Sequence, residues 1–232
     1  MDDAKAKKIC NYVFKDVFSR ENPFSLNEIK KRFAFDIPLP RKVKCSLSGK
    51  DTWTLLGEGD KIASQQAIID QFKKDEWAKK KKPISSMEDI FRYWNEINYT
   101  TGEKYINSKD VANSEGIYGS LDVYNSNSVF NSKNIVFCKD VVDCNYVVTL
   151  RNNESCVLSI RTRESKNCSS GFEVSWCEKV SKSMYVHDCV DLYECLFCSH
   201  VRSRKYCIAN MQFEKEEYFR IKRMVIDWIL ES

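Results

Sequence analysis

The chain has 232 residues, 43% apolar and 30% charged, with a net charge of +4 at neutral pH. This is a globular composition with ample material for a core, and it excludes wholesale disorder. Gly and Pro number only 7 and 4, which excludes collagen-like and polyproline packing.

The first hundred residues read as a mixed, mainly helical region (domain boundaries 1–100). Asp2 to Phe18 predicts one helix with Ile9, Val13 and Val17 on a single stripe. Ser25-Leu26-Asn27-Glu28 has capping-box spacing ahead of a second short helix, which Pro38 and Pro40 are expected to end. Lys42 to Leu56 is strand-like around a turn at Ser48-Gly49-Lys50-Asp51, a plain hairpin turn without the glycine and Lys-Ser/Thr pair of a phosphate loop. Ile62 to Trp77 predicts a third helix. The run Lys79 to Lys82 then reads as a charged linker, and Ser86 caps a last helix, Met87 to Ile97.

A repeat dominates residues 101–212. In steps of six come Val111, Ile117, Val123, Val129, Ile135, Val141 and Val147. Three residues after the first six of these stand Ser114, Ser120, Ser126, Ser132, Cys138 and Cys144, often preceded by Asn. The same every-third series then takes in Cys156, Cys168, Cys177, Cys189, Cys195, Cys198 and Cys207. Large and small residues exchange columns partway: Val174, Val180, Val186 and Leu192 occupy the formerly small column, and Gly171, Cys177, Ser183, Cys189 and Cys195 the formerly large one. A helix cannot hold a strict period of three, because the stripe slips about 60° per step. A plain strand has period two. Short strands joined by corners satisfy the pattern, stacking like residues over like. Three six-residue faces per coil would give about five coils at roughly 4.8 Å each. Between Asn153 and Ser165, Cys156, Leu158, Ile160 and Thr162 alternate, which predicts one longer pleated strand and a widened face.

After Cys207 the pattern stops. Glu214 to Leu230 predicts a helix (region 213–232) whose apolar face is Tyr218, Ile221, Met224/Val225 and Trp228/Ile229, a cap for the solenoid. The expected fold class is therefore α+β: a helical or mixed N-terminal region, a parallel β-solenoid and a C-terminal capping helix.

Candidate chemistry is sparse. Cys195-Leu196-Phe197-Cys198 is the one C-x-x-C, with His187, Cys189 and His200 nearby as further metal ligands. Both cysteines lie on the interior series, where a cysteine is a small buried hydrophobe, so packing is the stronger reading. His187 and His200 fall off the series and are expected outside; His187 with Asp188 is the better general-base pair. Arg161, Arg163, Arg202 and Arg204, read as outside the interior columns, are candidates for binding carboxylate, phosphate or a partner. No cofactor motif is read.

The units at Val111–Val147 resemble the hexapeptide repeats of left-handed β-helix proteins. Those place the small residue four after the aliphatic, where Ile117 and Ser120 here are three apart. The every-third Ser/Cys lining also resembles the tight solenoids of some antifreeze proteins, without their outward threonine ladder. Many hexapeptide-repeat proteins are trimeric acyltransferases, so the resemblance implies an enzyme using His187 as an alternative reading.

Residues 1–99 carry 20 Lys/Arg against 15 Asp/Glu, whereas residues 100–212 carry 13 against 13. Nucleic-acid binding is confined to the basic N-terminal half and ranks third. No apolar run is long enough to span a bilayer and no signal-peptide core follows Met1-Asp2-Asp3-Ala4, so no membrane is expected as a partner and a cytoplasmic location is. The leading expectation is a non-catalytic binding or scaffold protein with reduced, buried cysteines, presenting a rigid solenoid face to a protein partner or to a second copy.

Overall fold

The computed structural model describes residues 1–57, 59–74 and 77–231. Helices α1 (Asp3–Phe18), α2 (Leu26–Phe33), α3 (Gln65–Lys73) and α4 (Met87–Ile97) precede a parallel β-solenoid spanning residues 105–208, and α5 (Lys215–Glu231) follows it.

Each coil takes twelve residues, giving about nine turns. It is thus two six-residue units, not three, because in-register partners are twelve apart: Val111, Val123, Ile135 and Val147 stack in one ladder. Ile117, Val129, Val141 and Asn153 stack in the other. Four-residue strands such as Leu121–Tyr124 and Asn127–Phe130 carry these residues. The residue immediately before each lining position sits in the left-handed region, with φ +53° at Asp110, +55° at Asn113, +42° at Asn125 and +58° at Asp191. A repeating unit of two extended residues and one left-handed residue turns the chain every three positions. This conformation costs an ordinary L-residue about 1–2 kcal/mol and Asn or Asp less, which is why Asn precedes the lining serines so often.

The Ser/Cys columns have a hydrogen-bonding reason. Ser126 Oγ donates to the Tyr124 carbonyl at 2.9 Å and accepts the Cys138 N–H at 3.0 Å, twelve residues on. Ser132 Oγ serves the Cys144 N–H in the same way, and Cys138 Sγ the Leu150 N–H. The corners would otherwise leave inward backbone groups unpaired, and a buried unpaired group costs about 1–3 kcal/mol. The lining also starts earlier than Val111: Tyr105 and Ser108 occupy the series, and Ser108 Oγ accepts the Ser120 N–H.

The expected long strand at 153–165 is absent. The triplet continues through it, with Leu158 at φ +51°, Cys156 and Thr162 lining the interior, and Val157–Ile160 a strand of ordinary length. What changes there is the column that carries the strands. Up to Ile160 they run through the ladders of Val111 and Ile117; from Phe172 they run through those of Val174 and Val180. One pairing, Ile160 with Phe172, joins the two sets, and residues 161–171 contribute only isolated bridges. Away from the exchange, strands follow the bulky residue. Arg204 corrects a further expectation: it lies on the interior series, in register with Leu192, and is exposed because its strand Arg202–Lys205 ends that ladder.

A second apolar column runs outside the solenoid. Tyr124, Val136, Val148, Ile160, Phe172, Met184, Leu196 and Ile208 recur every twelve residues and are buried beneath α1 and α5. Helix α1 lies across this flank. Phe18 meets Phe172 at 5.1 Å between ring centroids, and Phe33 of α2 meets it at 6.0 Å. Lys5 bridges Asp110 and Asp122 at 2.8 and 2.5 Å. The α5 residues Tyr218, Val225, Ile226 and Ile229 belong to the same flank cluster, whereas Met224 and Trp228 face outward.

The ends are closed by other segments. Gln65 takes two hydrogen bonds with the Tyr105 backbone as a strand would, and Glu115 accepts the Leu55 N–H. At the far end an antiparallel pair, Cys207–Ile208 with Met211–Gln212, stops the parallel ladder. These contacts cover the strand edges at Tyr105–Ile106 and Cys207–Ile208, whereas the strand Arg202–Lys205 keeps an exposed edge. The capping box at Ser25 and Glu28 has both halves, but α2 ends at Phe33, before the prolines. The hairpin pairs Arg41–Lys44 with Asp51–Thr54 as expected. Ile62–Ala63 is instead a short strand paired with Thr100–Thr101; Ser64 caps α3 behind it, and positions 75 and 76 of the expected longer helix lie outside the described residues.

Candidate functional site

The four arginines separate into two places. Arg202 and Arg204 share the exposed terminal strand. Arg161 and Arg163 meet in a cleft between the solenoid and the segment after α2, where strands change columns. Its lining includes Asp36, Thr149, Arg151, Thr162, Glu173 and Ser175 around a cavity of about 130 Å³.

Arg161, the left-handed residue of its triplet, points at the α2 end. Its Nη1 donates to the Phe33 carbonyl at 2.9 Å and to Asp36 Oδ1 at 2.8 Å, and its Nε donates to Glu173. Arg163 donates to the other Asp36 oxygen, and Arg151 Nη1 reaches the Asp36 carbonyl at 3.4 Å. The Arg161 guanidinium also lies over the Phe35 ring at 4.3 Å. The two carboxylates respond differently. Burial opposes ionisation of Asp36, yet the Arg161 hydrogen bond and the charges of Arg161 and Arg163 hold its carboxyl below the usual range. At Glu173 burial outweighs the attraction of Arg161, so its carboxyl is pushed up. The cleft holds three guanidinium groups against two carboxylates.

Two side-chain atoms in these walls have no hydrogen-bond partner although they are buried: Arg151 Nε and Thr162 Oγ1. Thr162 is 1% exposed. Sequence reading missed Arg151 and Thr162. Their signal is weak, since it consists of a threonine on the lining series and an arginine twelve positions before Arg163, aligned with it by the coil length.

His187 and His200 both stand on the surface, as their position off the series implies. Asp188 does not pair with its neighbour His187: its Oδ2 faces His200 Nε2 at 3.2 Å, one coil on, because residues twelve apart stack. Ser199 Oγ lies 2.6 Å from His200 Nδ1. The Asp188 and His200 side chains are 59% and 70% exposed, so solvent screens the pair.

Cys195 and Cys198 line the interior at the last coils and are 0% and 1% exposed. Their mutual hydrogen bonding pushes the Cys195 thiol up and holds that of Cys198 lower. All eleven cysteines are free and buried. Among the described residues no group of three or more His, Cys, Asp or Glu is arranged to hold a metal ion, and no helix is long and apolar enough to cross a membrane.

Opposite the helix-covered flank lies an uncovered one. Ile106, Tyr118, Phe130 and Val142 are in register on it, with Ile106 and Phe130 39% exposed. Tyr118 and Phe130 stack at 5.0 Å with planes 5° apart. The same column continues through Glu154, Lys166, Glu178, Val190 and Arg202. Helix α4 has no buried residue, and Ile90, Phe91 and Trp94 on it are exposed. Compared with known proteins, the chain matches no family model, no curated protein and no solved structure.

Proposed function

We propose that this protein is a non-catalytic binding scaffold whose solenoid presents a rigid face to a protein partner. The observation that carries the reading is the apolar column Ile106–Tyr118–Phe130–Val142 on the flank that the helices leave open. Side chains there are held at coil spacing, over roughly 14 Å, by the backbone ladder. A preorganised row of this kind binds with little loss of side-chain freedom, and an exposed apolar patch on a solvated flank is a usual mark of an interaction site. Beyond Val142 the column carries both signs, Glu154, Lys166, Glu178 and Arg202. That mixture favours a protein segment with apolar anchors and mixed charges over nucleic acid, which requires a uniformly cationic track.

The test places a photo-crosslinking residue at position 130 and compares capture from the native host with that by the Tyr118→Ser/Phe130→Asp variant. The reading expects one discrete adduct that a purified candidate partner reproduces and that the variant loses while melting normally. Capture unchanged in the variant would overturn it. An adduct between two copies, with a concentration-dependent mass in sedimentation, would replace the separate partner by self-association.

A further inference from the structure

Helix α4 has a fully formed apolar face that nothing among the described residues covers. Met87, Ile90, Phe91 and Trp94 recur at i, i+3, i+4 and i+7, and Ile84 joins them from the segment before the Ser86 cap. Their exposures run from 42% at Ile90 to 61% at Ile84 and Phe91. A stripe of large apolar side chains this open is rare on a solvated surface unless something docks there. The opposite face carries Glu88, Asp89, Arg92 and Glu96.

The unmatched charge beside this face is positive. The run Lys79 to Lys82 precedes it directly, and Lys79, Lys80 and Lys82 rim a groove of about 320 Å³ walled by Ile84, Ile90 and Trp94. The carboxylates of the helix are already matched: Asp89 pairs with Arg92 at 2.6 Å and accepts the Ser85 N–H at 3.0 Å, and Glu96 pairs with Lys82 at 2.8 Å. Lys80 and Lys81 are exposed and make no ion pair among the described residues. The helix is fastened to the rest of the chain at its far end, where Lys61 donates to the Asn95 carbonyl and Thr100–Thr101 pairs with Ile62–Ala63.

We propose that α4 and the lysine run before it form a docking site for an anionic lipid surface, with the helix lying in the plane of the interface. Ile84, Met87, Phe91 and Trp94 enter the boundary between headgroups and acyl chains, and Lys80 and Lys81 meet the anionic headgroups. Long-stemmed lysines without a bidentate arginine suit a diffuse charged surface better than a fixed carboxylate on a protein. An in-plane helix needs no apolar run long enough to cross the bilayer. The site is separate from the open flank of the solenoid and does not rest on the scaffold reading.

Sedimentation of the full-length protein with vesicles of equal parts phosphatidylserine and phosphatidylcholine, against vesicles of phosphatidylcholine alone, tests it. Binding is expected to the anionic vesicles only, and it should weaken as salt is raised. Phe91→Ser/Trp94→Ser and Lys80→Gln/Lys81→Gln should each weaken it roughly tenfold or more. Both should melt at the parent temperature, because all four side chains are exposed. Arg202→Gln/Arg204→Gln, on the exposed terminal strand, should bind as the parent does, which separates this site from positive charge in general. Equal sedimentation with the two vesicle types, sedimentation with neither, affinity unchanged in the α4 and lysine variants, or loss of binding in the Arg202/Arg204 variant would each overturn the proposal. Absent vesicle binding together with a mass that rises with concentration, and falls back in Phe91→Ser/Trp94→Ser, would assign the face to a second copy instead.

Discussion

The two halves of the solenoid use one backbone and opposite assignments of size. In the N-terminal coils the bulky residues Val123, Val129, Ile135 and Val141 carry the strands, and Ser126, Ser132, Cys138 and Cys144 turn the corners. In the C-terminal coils Val174, Val180, Val186 and Leu192 carry them, with Cys177, Ser183, Cys189 and Cys195 at the corners. The triplet rhythm of left-handed residues runs through both without interruption. The path of the chain is therefore set by backbone conformation, and the strands lie mostly on the bulky lining positions, with Leu150 at a corner and Asn153 and Ser159 inside strands as exceptions next to the exchange. Between the halves, Thr162, Ser165, Cys168 and Gly171 line a coil with no large aliphatic residue. The strands lapse there, and the arginine cleft lies beside it.

Four measurements sharpen or break this comparison. The largest effect is expected from Ile135→Ala and Leu192→Ala, which empty one bulky position in each half. Each should lose about 2–5 kcal/mol in urea unfolding. A loss in one half alone would mean that the two assignments are not equivalent. Next is Gly171→Val at the junction. A Cβ there would meet Val174 Cγ2 at 2.9 Å, so overpacking should cost about 1–3 kcal/mol. A neutral result would contradict the narrow lining of the exchange coil.

Third, Ser126→Ala strands the Cys138 N–H and should cost about 1–2 kcal/mol, whereas Ser126→Cys should cost less than about 1 kcal/mol, since Cys138 already does the same work for Leu150. Equal costs for the two would remove the hydrogen-bonding account of the Ser/Cys columns. The smallest effect is on pH dependence. The folded carboxyl of Asp36 lies below its ordinary range, so its contribution is present above that range and lost as pH falls through the depressed folded value. The acid limb of a thermal-melting profile should flatten in Asp36→Asn, and an unchanged limb would show that the cleft contacts do not tie α2 to the solenoid.

Much of the fold is legible in the residues. The every-third series, with its nine in-phase cysteines, identifies an enclosed lining, and those cysteines are all buried. Helix α4 with its Ser86 cap and the Ser25 capping box are equally plain, because local hydrogen bonds define them. The coil length was less legible, since a period of three fits any coil that is a multiple of it. The second column, Tyr124 to Ile208, shows only as consecutive apolar pairs such as Ile135-Val136 and Val147-Val148. The cleft was half visible: Arg161 and Arg163 stand out as charged neighbours of the series, but Asp36 and Arg151 become their companions only through folding.

The sequence by itself determined the period, the lining and the chemistry of its columns, because volume and hydrogen-bonding capacity belong to each residue and repeat along the chain. Tertiary structure alone decided that twelve residues close a coil, that α1 and α5 cover one flank and leave the other open, and that Arg151, Arg161 and Arg163 converge beside Thr162. Those outcomes depend on which residues a turn of the solenoid brings into register. That length appears in the register of partners twelve apart and is not written in any single triplet.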